Sequence, residues 1–431
     1  MRALPLLTAL ALAHGGLAFL PLPPPRAGVP LARARGLRRT RLVGMTQAPQ
    51  DAKLNKGFRI LELAGGLVPQ GAVVKSARFA WKTIWTQMMR ELAPQSPDGA
   101  YVRPSYGFRG VLGGKEFPFE EGRYHVYVGN ACPWCHRVVL AIVLRGLTKA
   151  VSFSRMSDDP EKASRGGWAF TGGELGDPVF GCLDLREVYE KCNPGFKGRC
   201  TAPVVVDKKT RRIVNNESSQ IVRMLNGFAP PSSSSTKEGG AGGEGGGEAP
   251  NEGAVDLCPV ELEGEVDRIN DLVYNQVNNG VYRAGFATSQ GAYDKACTDV
   301  MEGLQKCEEL LSKQRFLAGD RFTEADLRLL PTAVRFDAVY ATLFKCSRKR
   351  IRDFRAIHAW LRDVYQIPGV AGTIDVDDAR RSYFTQLFPL NPGGIVPAGP
   401  TVEDMGLREA ADRGPTDRAS IFHLRSSGRR P

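Results

Sequence analysis

No aspartate or glutamate occurs in the first 45 of the 431 residues, and that stretch holds a large share of the chain's net positive charge. Its seven arginines account for seven of the +12 formal charges, which leaves +5 for everything after it. So even a balance over the body of the chain does not mark a nucleic-acid binder. The basic cluster from Lys345 to Arg355 reads as a solvated face or an anion site. A disulfide framework is missing too: nine cysteines, an odd number without regular spacing, indicate free thiols and a reducing compartment. Cys132-x-x-Cys135 taken with Cys192 and Cys200 lacks a second knuckle spacing, so no metal site is expected. The apolar stretch Ala3–Leu20 is interrupted by Pro5, His14 and two glycines and makes a poor membrane span. Neither a nucleic acid nor a membrane is therefore expected as a partner.

What the first 45 residues do contain is a short basic start, an apolar core, a small-x-small site at Gly16-Leu17-Ala18 and then a Pro- and Arg-rich run. That composition is a targeting leader. It resembles the bipartite leader of plastid proteins in algae with secondary plastids; the secretory pathway and the cytoplasm are the alternatives. The remainder is long enough for two domains with tails, and its 42% hydrophobic content supports an ordinary core.

The most informative words are Tyr124 to Arg137, reading Tyr-His-Val-Tyr-Val-Gly-Asn-Ala-Cys-Pro-Trp-Cys-His-Arg. An alternating apolar run ends in a small turn, and a helical pattern then runs from Pro133 to Arg145. Pro133 suits the first helical position, which has no use for its missing N–H. Cys132 thus falls at the N-cap, where free backbone N–H groups and the positive dipole end favour an anion. Its thiol is expected to ionise near neutrality and act as a nucleophile. Further strand signals lie at Val151–Arg155, Pro203–Val206 and Ile213–Asn215, and a helix at Ser218–Asn226. This β-α-β…β-β-α order is that of a thioredoxin-like domain.

Six segments are expected. Residues 1–45 are the leader. Residues 46–123 are an extension with a helix at Ala72–Leu92, whose Trp81, Trp85 and Met88 stripe reads as packing. Residues 124–228 form the thioredoxin-like domain, and 229–254 a flexible Ser/Gly-rich insertion. Residues 255–387 form an all-α domain with helices at Asp256–Asn279, Tyr293–Lys313, Glu324–Phe344 and Ile351–Val364. Residues 388–431, rich in Pro, Gly and charge, read as a disordered tail. Within the all-α part, Thr323 and Asp326 form a capping-box variant at the start of a helix. An α/β thioredoxin-like domain followed by helices with such a box is the glutathione transferase architecture.

From about Tyr101 to Phe384 the chain resembles the xi class of glutathione transferases, the glutathionyl-hydroquinone reductases. The words that carry the resemblance are Cys-Pro-Trp-Cys-His-Arg (132–137), Gly-Trp-Ala-Phe (167–170), Ala-Pro-Val-Val-Val-Asp-Lys-Lys-Thr (202–210) and Ile-Val-Asn-Asn-Glu-Ser-Ser (213–219). In the second half they are Val-Asn-Asn-Gly-Val-Tyr-Arg-Ala-Gly-Phe-Ala (277–287), Arg-Phe-Asp-Ala-Val-Tyr (335–340), Phe-Lys-Cys (344–346) and Tyr-Gln-Ile-Pro-Gly-Val (365–370).

The resemblance implies glutathione as co-substrate, a glutathionyl-quinone as substrate and a homodimer. It assigns Cys132 as nucleophile and Tyr282 as proton donor, the latter in an Asn/Gly-rich break between helices. Tyr340 and Tyr383 would hydrogen-bond the thiolate; the word around Tyr383 departs from the family's aromatic-rich version. Trp168 would cover the bound tripeptide, with Arg199, Cys200, Thr201 and Ala202 lining it. Ala202 stands where the family has valine and precedes Pro203, where the fold holds a cis proline. At the Glu217-Ser218 helix start, Ser218 Oγ and the adjacent N–H groups would take the γ-glutamyl carboxylate; the plain reading of the pair is a helix cap. Cys135 stands where the family often has alanine and is either structural or a resolving thiol. His136 reads as packing rather than a base. The implied reaction passes through a Cys132–glutathione mixed disulfide. The alternatives are an omega-like thioltransferase or dehydroascorbate reductase, and a non-catalytic binding module on this scaffold.

Overall fold

The computed structural model describes residues 69–104, 107–158, 167–173, 175–228 and 253–425; the leader and nearly all of the Ser/Gly-rich insertion lie outside these. The first half is built on a four-stranded sheet of β1 (Tyr124–Gly129), β2 (Val151–Met156), β3 (Val204–Asp207) and β4 (Arg212–Asn215), in the order β2-β1-β3-β4. β2 runs parallel to β1 with Tyr124 opposite Val151, while β3 is antiparallel with Val126 opposite Val205. Every residue of β1 is buried, because both faces of the sheet are covered. Tyr124, Val126 and Val128 belong to the core shared with the helical half, whereas Tyr127 packs with Val204, Val206 and Tyr189 on the other face. The alternation that marks this strand is therefore between two interiors, and even His125 is held inside by the hydroxyls of Ser152 and Ser154.

Helix α1 (Gln70–Leu92) precedes the sheet, α2 (Pro133–Leu144) follows β1, α3 (Leu185–Cys192) precedes β3, and α4 (Ser218–Gly227) follows β4. α2 is buried at every position but Val143, wedged against α4 on one side and the helical half on the other. α1 corrects one expectation. Its C-terminal end docks, with Met89 buried and Trp85 Nε1 donating to the Pro389 carbonyl at 3.0 Å, but Trp81 is 56% exposed and Phe79 75%. Only one end of the aromatic stripe packs.

The helical half runs through β5 (Val255–Asp256), α5 (Glu263–Leu272), α6 (Asn279–Gly285), α7 (Gln290–Leu311), α8 (Glu324–Arg335), α9 (Arg355–Tyr365) and α10 (Val376–Gln386). The Asn/Gly-rich stretch is not a break. A π-helical segment, Val273–Asn278, joins α5 to α6 without interruption, and a second, Phe336–Tyr340, extends α8. Asn278 is buried and donates to the Arg328 carbonyl and to Thr332 Oγ1, and a Cβ on Gly280 would lie 2.7 Å from Val300 Cγ2. Those residue types serve close helix packing and a polar lock, which local composition cannot distinguish from a turn. At the start of α8, Thr323 caps and Asp326 accepts from the Thr323 N–H, as the spacing predicts; Asp326 also takes the N–H of Leu317 and Trp360 Nε1.

The C-terminal stretch is not disordered up to residue 425. Met405 and Leu407 are buried, Arg413 donates to three carbonyls at the end of α7, and α11 (Arg418–Ile421) leads into β6 (His423–Leu424), which pairs with β5. Its anchors are few and separated by Pro, Gly and charged residues, so its average composition conceals them.

Candidate active site

Cys132 caps α2 in an extended conformation, its Sγ accepting the Cys135 N–H at 3.4 Å. The side chain is half-buried, and the Ala202 carbonyl lies 3.9 Å from the sulfur. Burial by itself would push the thiol up; the Cys135 thiol, the N–H groups of Cys135 and Trp134 and the charge of Arg335 outweigh it and bring the value down to about 7. Cys135 is the opposite case. It is fully buried, accepts the Gly129 N–H at 3.2 Å, and burial together with its neighbour holds its thiol well above the ordinary value. One thiol of the pair therefore ionises around neutrality, while the other keeps its proton and donates it.

Arg335 enters this corner from the last turn of α8. Its Nε donates to the Ala131 carbonyl and its Nη1 to His136 Nδ1 and the Pro331 carbonyl, each at 3.0 Å. A guanidinium has no acceptor, so His136 Nδ1 must be unprotonated and Nε2 carries the hydrogen toward Thr373 Oγ1. His136 is fixed, buried and unavailable as a base. Arg335 had been quoted in a family word without a role; no sequence spacing ties it to Cys132, which lies more than 200 positions earlier.

The three tyrosines meet. Tyr282 on α6 and Tyr383 on α10 share a 2.5 Å hydroxyl contact, and Tyr340 reaches Tyr383 at 3.2 Å. Burial holds all three phenols above their ordinary value, and the Cys132 charge adds to this for Tyr282 and Tyr340. The hydroxyls bond one another and not the sulfur; the donors to Sγ are those of the α2 start. Trp134 and Phe344 lie 6.0 and 5.4 Å from the Tyr282 ring, giving an aromatic wall. Trp134 is itself clamped between the guanidinium groups of Arg103, at 3.8 Å, and Arg137, at 4.6 Å.

On the other side of Cys132, Ala202–Pro203 is cis. Thr201 is held through its carbonyl by the Tyr189 hydroxyl at 2.7 Å and through Oγ1 by Asn216 at 3.1 Å. Glu217 caps α4, its carboxylate accepting from the N–H and hydroxyl of Ser219, with buried Ser218 beside it. Trp168 is half-buried and packs directly on Gly129, where any Cβ would stand 2.1 Å from the ring. Cys200 is half-buried against the α3-side core. Arg199 donates to the carbonyls of Glu91 and Leu92 and so closes the end of α1.

Residues 131–227 match the family model of the glutathione S-transferase N-terminal domain, and 290–363 that of the C-terminal domain. The glutathionyl-hydroquinone reductases YqjG of Escherichia coli (strain K12) and PcpF of Sphingobium chlorophenolicum are each 39% identical to the chain. The matches span 71% and 76% of this chain and 90% and 96% of theirs. The glutathione-bound structure of YqjG superposes with a TM-score of 0.61, over 71% of this chain and 96% of that one. The glutathione transferase Xi of Phanerochaete chrysosporium, 35% identical, gives 0.62 over 71% and 94%. A cysteine-capped thioredoxin-like half, a capping-box helical half and these likenesses together place the chain in the xi class of the glutathione transferase family.

Proposed function

We propose that the protein reduces glutathionyl-hydroquinones with glutathione. The observation that carries this reading is Cys132 at the N-cap of α2, where its sulfur accepts the Cys135 N–H and its thiol ionises around neutrality, in one site with the buried, linked hydroxyls of Tyr282, Tyr383 and Tyr340. The Cys132 thiolate attacks the glutathionyl sulfur and the aryl carbon–sulfur bond breaks. The aryl carbon keeps the electron pair and takes a proton from Tyr282, leaving hydroquinone and a Cys132–glutathione mixed disulfide. A second glutathione thiolate attacks that disulfide, releases glutathione disulfide and restores the Cys132 thiolate. The two electrons come from the two glutathione sulfurs.

A phenol raised well above 10 is a weak acid, yet an aryl carbanion is a far stronger base, so Tyr282 donates downhill. The proton that the second glutathione loses on ionising makes up the one Tyr282 gave, and the hydroxyl contacts of Tyr383 and Tyr340 offer it a path back. The aromatic wall of Trp134, Tyr282 and Phe344 offers the quinone ring a stacking surface. The cis Ala202–Pro203 turn, the Glu217-Ser218 helix start and Trp168 are the surfaces on which glutathione would lie. The test is Cys132→Ser, for which we expect turnover with a glutathionyl-hydroquinone to fall at least about a thousandfold. Mass spectrometry of the parent enzyme after one turnover without free glutathione should find the adduct on Cys132. Retained turnover in the variant sinks the mechanism. Higher catalytic efficiency toward a small mixed disulfide than toward the glutathionyl-hydroquinone would favour the thioltransferase reading.

A further inference from the structure

A cavity of about 500 Å³ opens beside the nucleophile's corner, bounded by the end of β2, by Asn130 and by one side of α10. It shares no residue with the tyrosine set or with the residues assigned to glutathione. It adjoins both through the chain, since Asn130 lies two residues before Cys132 and Ser382 directly precedes Tyr383. In the sheet it lies on the β2 side of β1, whereas Ala202 and Pro203 lead into β3 on the opposite side.

Its lining is polar and of mixed sign. Among the described lining residues, Arg155 and Arg381 supply two cations and Asp158 and Asp378 two carboxylates, and none carries an aromatic ring. The carboxylates are partly used within the wall: Asn130 Nδ2 donates to Asp378, Arg381 pairs with the same residue, and Ser382 donates to Asp158. Arg155 is exposed and makes no ion pair with any described residue; its one close partner is the face of Phe153, at 5.9 Å. Its charge also bears on His136 of the nucleophile's helix, which places it near the corner.

The proposed reaction needs two glutathione molecules in succession, and this inference rests on that reading. When the second arrives, the first is still bound to Cys132 and fills its own surface. The second must dock elsewhere within reach of the mixed disulfide. A quinone ring would seek the aromatic wall, not a charged recess. Glutathione is a zwitterion with two carboxylates and one ammonium, and a recess with a free guanidinium and nearby carboxylates matches both signs. The volume is within the range of small-ligand sites. We propose that this cavity is the docking site of the resolving glutathione. From there its thiolate attacks the glutathionyl sulfur; the new sulfur–sulfur bond forms as the Cys132 bond breaks, and the Cys132 thiolate leaves.

The test uses enzyme loaded with glutathione on Cys132 by glutathione disulfide, so it does not depend on any quinone. Release is followed by rapid mixing with increasing glutathione, or with the uncharged thiol 2-mercaptoethanol. For Arg155→Glu, and less strongly for Arg381→Gln, the concentration of glutathione giving half the maximal release rate should rise about tenfold. Release by 2-mercaptoethanol should not change, nor should the rate of loading by a glutathionyl-hydroquinone. Unchanged dependence on glutathione, or equal slowing with both thiols, overturns the inference. So does slower loading by the glutathionyl-hydroquinone, which would give the cavity to the quinone's substituents. Failure of the parent enzyme to load from a glutathionyl-hydroquinone, with normal release after loading by glutathione disulfide, would sink the reductase reading and leave this site standing.

Discussion

At the β1–α2 corner, the backbone and thiol groups that lower the Cys132 thiol come from residues no more than three positions away, with Arg335 the one distant addition. The phenols that face it are assembled from Tyr282, Tyr340 and Tyr383, the outer two 101 positions apart. In the reaction we propose both groups take part, but the first follows from how a helix begins and the second from how α6, α8 and α10 come together. A helix start presents unpaired N–H groups wherever it occurs. Three hydroxyls within hydrogen-bond reach require three helices at fixed separations, with burial enough to keep every phenol protonated.

The strongest way to break the distant half while sparing the corner is Asp326→Ala. This buried carboxylate accepts from the backbone of Leu317 and Thr323 and from Trp360. Removing it strands three buried donors, and urea unfolding should show a loss of about 3 kcal/mol or more. Tyr282→Phe separates the halves chemically. Alkylation of Cys132 should proceed as in the parent, whereas single-turnover release of hydroquinone should slow about a hundredfold. Equal slowing of both would mean that Tyr282 acts on the thiol rather than on the leaving carbon. Tyr383→Phe removes the hydroxyl linking the other two and should cost about tenfold in steady-state turnover, with little change in the first turnover.

The smallest effect tests the corner alone. In the parent, the rate of alkylation by iodoacetamide should climb with pH through about 7, because only the thiolate reacts and the thiol form dominates below that point. Cys135→Ala removes one donor to the thiolate while keeping the backbone N–H, so the folded value rises. The inflection should move up by about half to one pH unit, and alkylation at pH 6 should slow about three- to tenfold. A resolving role for Cys135 would instead abolish release of glutathione disulfide and leave the inflection in place.

Much of the thioredoxin-like half was legible because its signals are local. The β1 run, Pro133 after Cys132 and the small residue before Pro203 each point to one backbone arrangement, and the observed strands fall within a residue of expectation. The same habit misled elsewhere. Asn278 and Gly280 carry a turn's composition but serve a polar lock and a close helix contact. Residues 388–425 carry a tail's composition but are held by a few buried anchors such as Leu407 and Phe422. Trp81 carries a core residue's chemistry and stands in the open. That Arg199 closes the end of α1 was not legible either, since a long side chain goes to whichever unpaired carbonyls lie within reach.

The order of residues alone determined that the Cys132 sulfur sits at a helix start and why its thiol is lowered there, because a cap is a property of one helix and the few positions before it. It also determined the family, through words spread across both halves. Which arginine supports that sulfur, how His136 is protonated, that the tyrosine hydroxyls bind each other, and that a charged recess flanks the corner were decided only when distant segments packed. Contacts between such segments depend on the separation and tilt of whole elements, and those distances are not carried by any local pattern.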